Sequence, residues 1–135
     1  MKNISFILVL ILLSINNNSF AAPSNKEVKA MINQIQTASK ASDTILKSGR
    51  TQDLHNHSSK FIAINNKAES MFKPLDFENG ADCLNATIKA KLIWQTKMSY
   101  KSKPDQYCID NIKRTTKQYN EDIAGCKEYA AKLKK

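Results

Sequence analysis

Residues 81–133, ADCLNATIKAKLIWQTKMSYKSKPDQYCIDNIKRTTKQYNEDIAGCKEYAAKL, read as two helical segments separated by the corner Lys103-Pro104-Asp105. In the first, α3 (about 81–102), Leu84, Ile88, Leu92, Trp94 and Met98 fall on one broad face, with Ile93 and Tyr100 nearly opposite. Lys91 lies within that face, where its stem packs while the ammonium snorkels outward. In the second, α4 (about 105–133), Cys108, Ile112, Thr115, Tyr119, Ile123, Cys126, Ala130 and Leu133 align at spacings of three and four. Pro104 suits a first helical turn, where its missing amide costs nothing, and Gly125 loosens α4 locally. So short a corner makes the two helices antiparallel neighbours.

That hairpin decides the cysteine pairing. With the corner near 103–104, a residue n on α3 lies beside roughly 207 − n on α4, which sets Cys83 against position 124, next to Cys126. Cys108 and Cys126 are 18 residues apart on one helix, about 27 Å at the helical rise, far beyond the roughly 7 Å Cα separation that a disulfide tolerates. Cys83 and Cys108 would sit at opposite ends of the hairpin. The expectation is a Cys83–Cys126 bridge stapling its open end and a free thiol at Cys108, which reads as a small buried residue, with dimerisation through it as the alternative.

Working outward, Ser24-Asn25-Lys26-Glu27 is a capping box, followed by Val28, Met31, Ile32, Ile35, Ala38, Ser42 and Ile45 at helical spacing and by Gly49 as a stop. This gives α1, about 25–48. Thr51 is a candidate cap for α2, about 52–73, whose stripe is Leu54, Ser58, Phe61, Asn65, Ala68 and Phe72, widened by Ile62, Ile64 and Met71. Pro74 ends that helix, and the loop 74–80 follows with Leu75 and Phe77 as plugs over the core. Four amphipathic helices with short corners predict an all-α, up-down-up-down four-helix bundle with a disulfide-stapled C-terminal hairpin. The competing arrangement is a three-helix or irregular domain with α1 docked loosely.

Residues 1–21 read as a signal peptide: Lys2 is a positive n-region, Ile4–Ile15 an apolar run too short to span a bilayer, and Ser19-Phe20-Ala21 a small-x-small cleavage site. The mature chain, 22–135, is then one exported domain, secreted or periplasmic, in a compartment that permits disulfides.

Charge is unevenly spread. The chain has 21 Lys+Arg against 12 Asp+Glu; residues 22–88 are almost balanced, whereas residues 89–135 hold 12 basic and 5 acidic side chains. Lys89, Lys91, Lys97, Lys101 and Lys103 occur with no acid among them, interleaved with Trp94 and Tyr100. Such a field draws an anionic partner. An acidic protein patch or an anionic envelope surface fits an exported chain better than nucleic acid, since Trp94 points to the predicted core and the 89–103 segment has no arginine. The face expected to meet a partner is Lys89, Lys97, Lys101, Lys103, Lys113 and Arg114.

Catalytic and metal signals are weak. His55 and His57 project about 200° apart on a helix and cannot grip one ion, so both read as surface or edge histidines. Cys126 is followed by Lys127-Glu128-Tyr129, which is no haem-attachment motif, and helically spaced methionines are ordinarily packing. No phosphate loop or nucleophile motif occurs, and Asp76, Glu78 and Asp82 suit the start of α3. Asn56-His57-Ser58 and Asn85-Ala86-Thr87 match the glycosylation pattern but fall on predicted helices. The reading is a binding protein and not an enzyme, with no catalytic residue, metal or cofactor. Its alternatives are a cationic module on anionic membrane or polysaccharide and a small-ligand carrier in the bundle core. In general plan the chain resembles small periplasmic helical proteins such as toxin-immunity proteins and envelope-stress chaperones, and Asp82-Cys83-Leu84 and Tyr107-Cys108-Ile109 are similar to the cysteine surroundings in some immunity families. The resemblance implies inhibition or chaperoning of another protein and carries over no site residue.

Overall fold

The computed structural model describes residues 22–72, 80–101, 103 and 105–133; the expected signal peptide, the loop plugs Leu75 and Phe77, and Pro104 lie outside the described residues. The described chain is all-helical: α1 Asn25–Ser48, α2 Thr51–Phe72, α3 Ala81–Ser99 and α4 Gln106–Lys132. These pack as a helical bundle around one core. Among the described residues no helix is long and apolar enough to cross a membrane.

Local chemistry sets the helix ends. Ser24 and Glu27 form the expected capping box, and Gly49 closes α1 in the left-handed conformation (φ 67°) that glycine adopts without penalty. At α2 the expected cap fails. Thr51 is the first residue of the helix, and the Leu54 amide bonds to the Arg50 carbonyl. The Asp53 carboxylate fastens this start by accepting from Arg50 Nε at 2.7 Å and Ser48 Oγ at 3.2 Å. α4 is capped by Asp105, whose carboxylate accepts the Cys108 amide at 2.7 Å.

Specific side-chain ties join the helices. Ser42, late in α1, meets His57, early in α2. Along α2 and α3, Ser58 meets Trp94 whereas Asn65 meets Thr87. Along α3 and α4, Cys83 meets Cys126 and Lys89 meets Asp122. Asn25, at the start of α1, donates to the Ala130 carbonyl near the end of α4. α1 and α3 each touch all three other helices, and α2 meets α4 through the edge-on contact of Phe72 with Tyr129.

The sequence expectation for α3 fails in one respect. Its buried face is Cys83, Ala86, Thr87, Ala90 and Trp94, and the large aliphatics Ile88 and Leu92 are 40% and 44% exposed. α3 approaches α4 closely at the Cys83–Cys126 bridge, which small inward side chains permit, and one indole fills space toward α2, where it donates to Ser58. Met98 is exposed as well, and on α2 Ile62 stands outside the core that it was expected to widen. The α1 stripe is buried as expected from Val28 to Ser42, with no loose docking, and Thr115, Tyr119, Ile123, Cys126 and Ala130 are buried on α4.

The expected disulfide between Cys83 and Cys126 joins α3 to α4 with a Cα separation of 4.6 Å. Gly125 stands beside it, and its role differs from the expected loosening, since α4 runs through it without interruption. A Cβ at Gly125 would lie 1.9 Å from Oδ2 and 2.7 Å from Cγ of Asp82, so the glycine provides the room in which α3 starts. Gly125→Ala should therefore destabilise the fold by about 1–3 kcal/mol through overpacking, despite the better helix propensity of alanine. In an Asp82→Ala background most of that penalty should vanish. Urea unfolding of the four proteins measures the coupling; additive effects of the two substitutions would refute the close approach.

Candidate functional site

The six cations expected to form a partner face divide into two groups. Lys89 Nζ lies 2.6 Å from Asp122 Oδ2 on α4, and Lys97 Nζ lies 2.6 Å from Asp43 Oδ1 on α1. Both lysines are largely covered, and each neutralises an acid of its own chain. Their ammonium groups brace helices against one another. Lys101, Lys103, Lys113 and Arg114 are exposed, and none of the four forms an ion pair among the described residues. Arg114 donates only to the side-chain oxygen of Asn111, at 3.1 Å.

Lys101 and Lys103 stand at the corner of the α3–α4 hairpin, and Lys113 and Arg114 about two turns further along α4. With them stand two large side chains left outside the core, Tyr107 (71% exposed) and Ile109 (47% exposed). The first turn of α4 sends Cys108 inward, which turns both of its neighbours outward on either side. The signal for them was present in the sequence, because an apolar residue directly beside a stripe position cannot share that stripe.

On the inner side of the same corner lies a groove of about 530 Å³ between the end of α1, the end of α3 and the start of α4. Leu46, Tyr100, Cys108 and Ile112 provide its apolar lining, and Lys47, Lys97 and Lys101 provide its ammonium groups. Asp43 is the single acid of the lining, and it is held by Lys97. Leu46 and Lys47 were not marked by the sequence. They belong to the charge-balanced half of the chain, and only the stop at Gly49 brings them to this end of the bundle.

Cys108 is a buried free thiol at the groove wall. Burial, and after it the neighbouring Asp105 carboxylate, push its pKa above the ordinary thiol range. It is therefore a neutral packing group at physiological pH, and a disulfide to a second chain would require it to leave the core.

The histidines separate in the structure. His55 is exposed, but His57 is only 4% exposed and corrects the expectation of a surface residue. The buried stripe of α2 runs through His57, Phe61, Ile64, Asn65, Ala68 and Phe72, so the core face is turned about one residue from Leu54 and Ser58. His57 Nε2 lies 3.1 Å from Ser42 Oγ, and the ring meets Phe61 and Trp94 edge-on at centroid distances of 5.1 and 4.5 Å. The Ser42 hydroxyl also reaches its own helix at the Ala38 carbonyl, at 3.2 Å. A serine beside a histidine has the geometry of a nucleophile and its base, but both are sealed in the core, where they join α1 to α2. Among the described residues no group of three or more His, Cys, Asp or Glu is placed to hold a metal ion.

No protein-family model matches the chain, and no curated protein or solved structure matches it either. The geometry alone supports a functional reading.

Burial, and after it the Lys60 charge, hold the His57 pKa below 6.5, outweighing the opposite effect of the Ala38 carbonyl. The unfolded chain then takes up a proton that the folded one refuses. Stability should be full above about pH 6.5 and fall as the pH drops from there toward the depressed folded value. His57→Gln should lose this slope and His55→Gln should keep it, as measured by urea midpoints between pH 7.5 and 5. An unchanged slope in His57→Gln would exclude His57 as its source.

Proposed function

We propose that the protein is an exported, non-enzymatic binding protein, an up-down-up-down bundle of residues 22–135, that docks its C-terminal hairpin corner onto an acidic patch of another protein. The observation that carries this reading is the exposure of Tyr107, with Arg114 seven residues on sharing its face of α4, in an exposed segment where four cations (Lys101, Lys103, Lys113 and Arg114) outnumber the two acids Asp105 and Asp110. Tyrosine and arginine are enriched where binding energy concentrates, and a rim of lysines accelerates encounter with a negative surface. Lys101, Lys103, Lys113 and Arg114 are the recognition residues in this reading, while Lys89 and Lys97 hold the bundle together. An intrachain disulfide together with the 1–21 signal pattern supports a secreted or periplasmic setting. The partner's class is protein and not nucleic acid, and the inhibitor or chaperone role implied by the resemblance falls within it.

The cationic-module alternative predicts binding governed by charge alone. In the docking reading, Lys103→Glu, Lys113→Glu and Arg114→Glu together should abolish capture of the partner from the native compartment at low salt. Tyr107→Ala should weaken the same capture by about 1–2 kcal/mol without altering net charge. Co-purification with wild type and with these variants, followed by titration against the recovered protein, makes the measurement. Retention by the triple variant equal to wild type defeats the proposal. Loss in the triple variant with Tyr107→Ala fully active, and equal binding to anionic vesicles, transfers the function to a charged surface.

A further inference from the structure

We infer that the groove between the end of α1 and the α3–α4 corner is a binding site for a single-chain anionic amphiphile: one carboxylate, sulfate or phosphate head on an apolar chain. It lies at the end of the bundle that holds the α3–α4 corner, opposite the Cys83–Cys126 bridge, and shares only Lys101 with the protein-docking surface. The two proposals therefore stand or fall separately.

The volume of about 530 Å³ is within the range of small-molecule sites, which are mainly apolar with a few converging polar groups. Here Leu46, Tyr100 and Ile112 supply the apolar wall, and Cys108, kept neutral by its burial, adds a soft, uncharged surface. The lining carries three ammonium groups against the one carboxylate of Asp43, and its net positive charge favours an anionic ligand over a cationic one. Lys97 is engaged by its ion pair with Asp43, so the site has two ammonium groups without ion-pair partners among the described residues, Lys47 and Lys101. Lys47 stands at the end of α1 and Lys101 just beyond α3. The Lys101 ammonium reaches back to α1: its Nζ lies 3.4 Å from the place where a Cβ on Gly49 would be. Two lysines converging from separate elements on an apolar groove suit a compact anionic head, with the chain lying along Leu46 and Ile112.

The test is titration of the disulfide-bonded protein, ¹⁵N-labelled, with dodecanoate below its micelle concentration, followed by amide shifts. Three comparison ligands are dodecyltrimethylammonium, acetate and vesicles of anionic phospholipid. The expected result is saturable binding of dodecanoate with shifts concentrated at residues 46–47, 100–101, 108 and 112. Dodecyltrimethylammonium should bind at least tenfold more weakly, and acetate should not saturate. Lys47→Gln and Lys101→Gln are surface changes that leave the core intact, and each should weaken dodecanoate about three- to tenfold. Lys113→Gln, outside the groove, should leave that affinity unchanged while still serving as a test of the docking surface. Equal binding of the cationic amphiphile, shifts centred on Ile88 and Leu92, or affinity indifferent to Lys47 and Lys101 would each overturn the site. Binding to vesicles without binding to free dodecanoate would overturn it as well, since a membrane surface would then be the ligand.

Discussion

The contact between the start of α3 and the end of α4 is the constraint from which the remaining packing follows. The Cys83–Cys126 bridge closes a loop of 43 residues, and confining the unfolded chain to that extent stabilises the fold by about 4 kcal/mol in the chain-entropy view. For a domain of this size that is a large share of the usual net stability. The bridge demands that two helices approach closely, and Gly125 meets the demand by presenting no side chain to Asp82. Ala86 and Ala90 continue the close seam along α3. Where the helices diverge, size returns: Trp94 fills the space toward α2 and α1, anchored by its N–H donating to Ser58 at 2.8 Å.

Polar side chains then fix which helix faces which. Lys89–Asp122, Lys97–Asp43, Ser42–His57 and the Thr87–Asn65 contact each join a different pair of helices. Partly covered ion pairs of this kind add little net stability, but a wrong arrangement would leave an unpaired charge in a poorly hydrated place. A strongly basic chain has an additional reason to arrange itself so. Each lysine that pairs internally reduces self-repulsion.

The fold was legible in the sequence where one periodicity dominated. The capping box, Gly49 and the α1 stripe stand as read, and the Cys83–Cys126 pairing followed from hairpin geometry because the competing pairs were ruled out by distance. On α3 two apolar stripes compete, one of large aliphatics and one of small residues with Trp94. Hydropathy favours the first, whereas the close approach to α4 at the Cys83–Cys126 bridge selects the second. On α2, an asparagine, a histidine and several serines blur the core face by about one residue, and His57 was lost in that blur. The candidate site was legible only as charge. Tertiary contacts divide the six marked cations into bracing and free groups, and Asp43 and Asp122, the acids that do so, are far from them in sequence. Lys47 and Leu46 enter the groove by a fold-level juxtaposition that no local pattern announces.

Trp94 is the only tryptophan in the chain, and its ring lies within 4.5 Å of the His57 imidazole. Indole emission depends on the polarity around the ring and is quenched by a charged imidazole at such a distance. The protein thus carries an intrinsic optical gauge at the junction of α1, α2 and α3. Its wavelength follows the integrity of that junction, and its intensity follows the charge on a single side chain, with no label introduced.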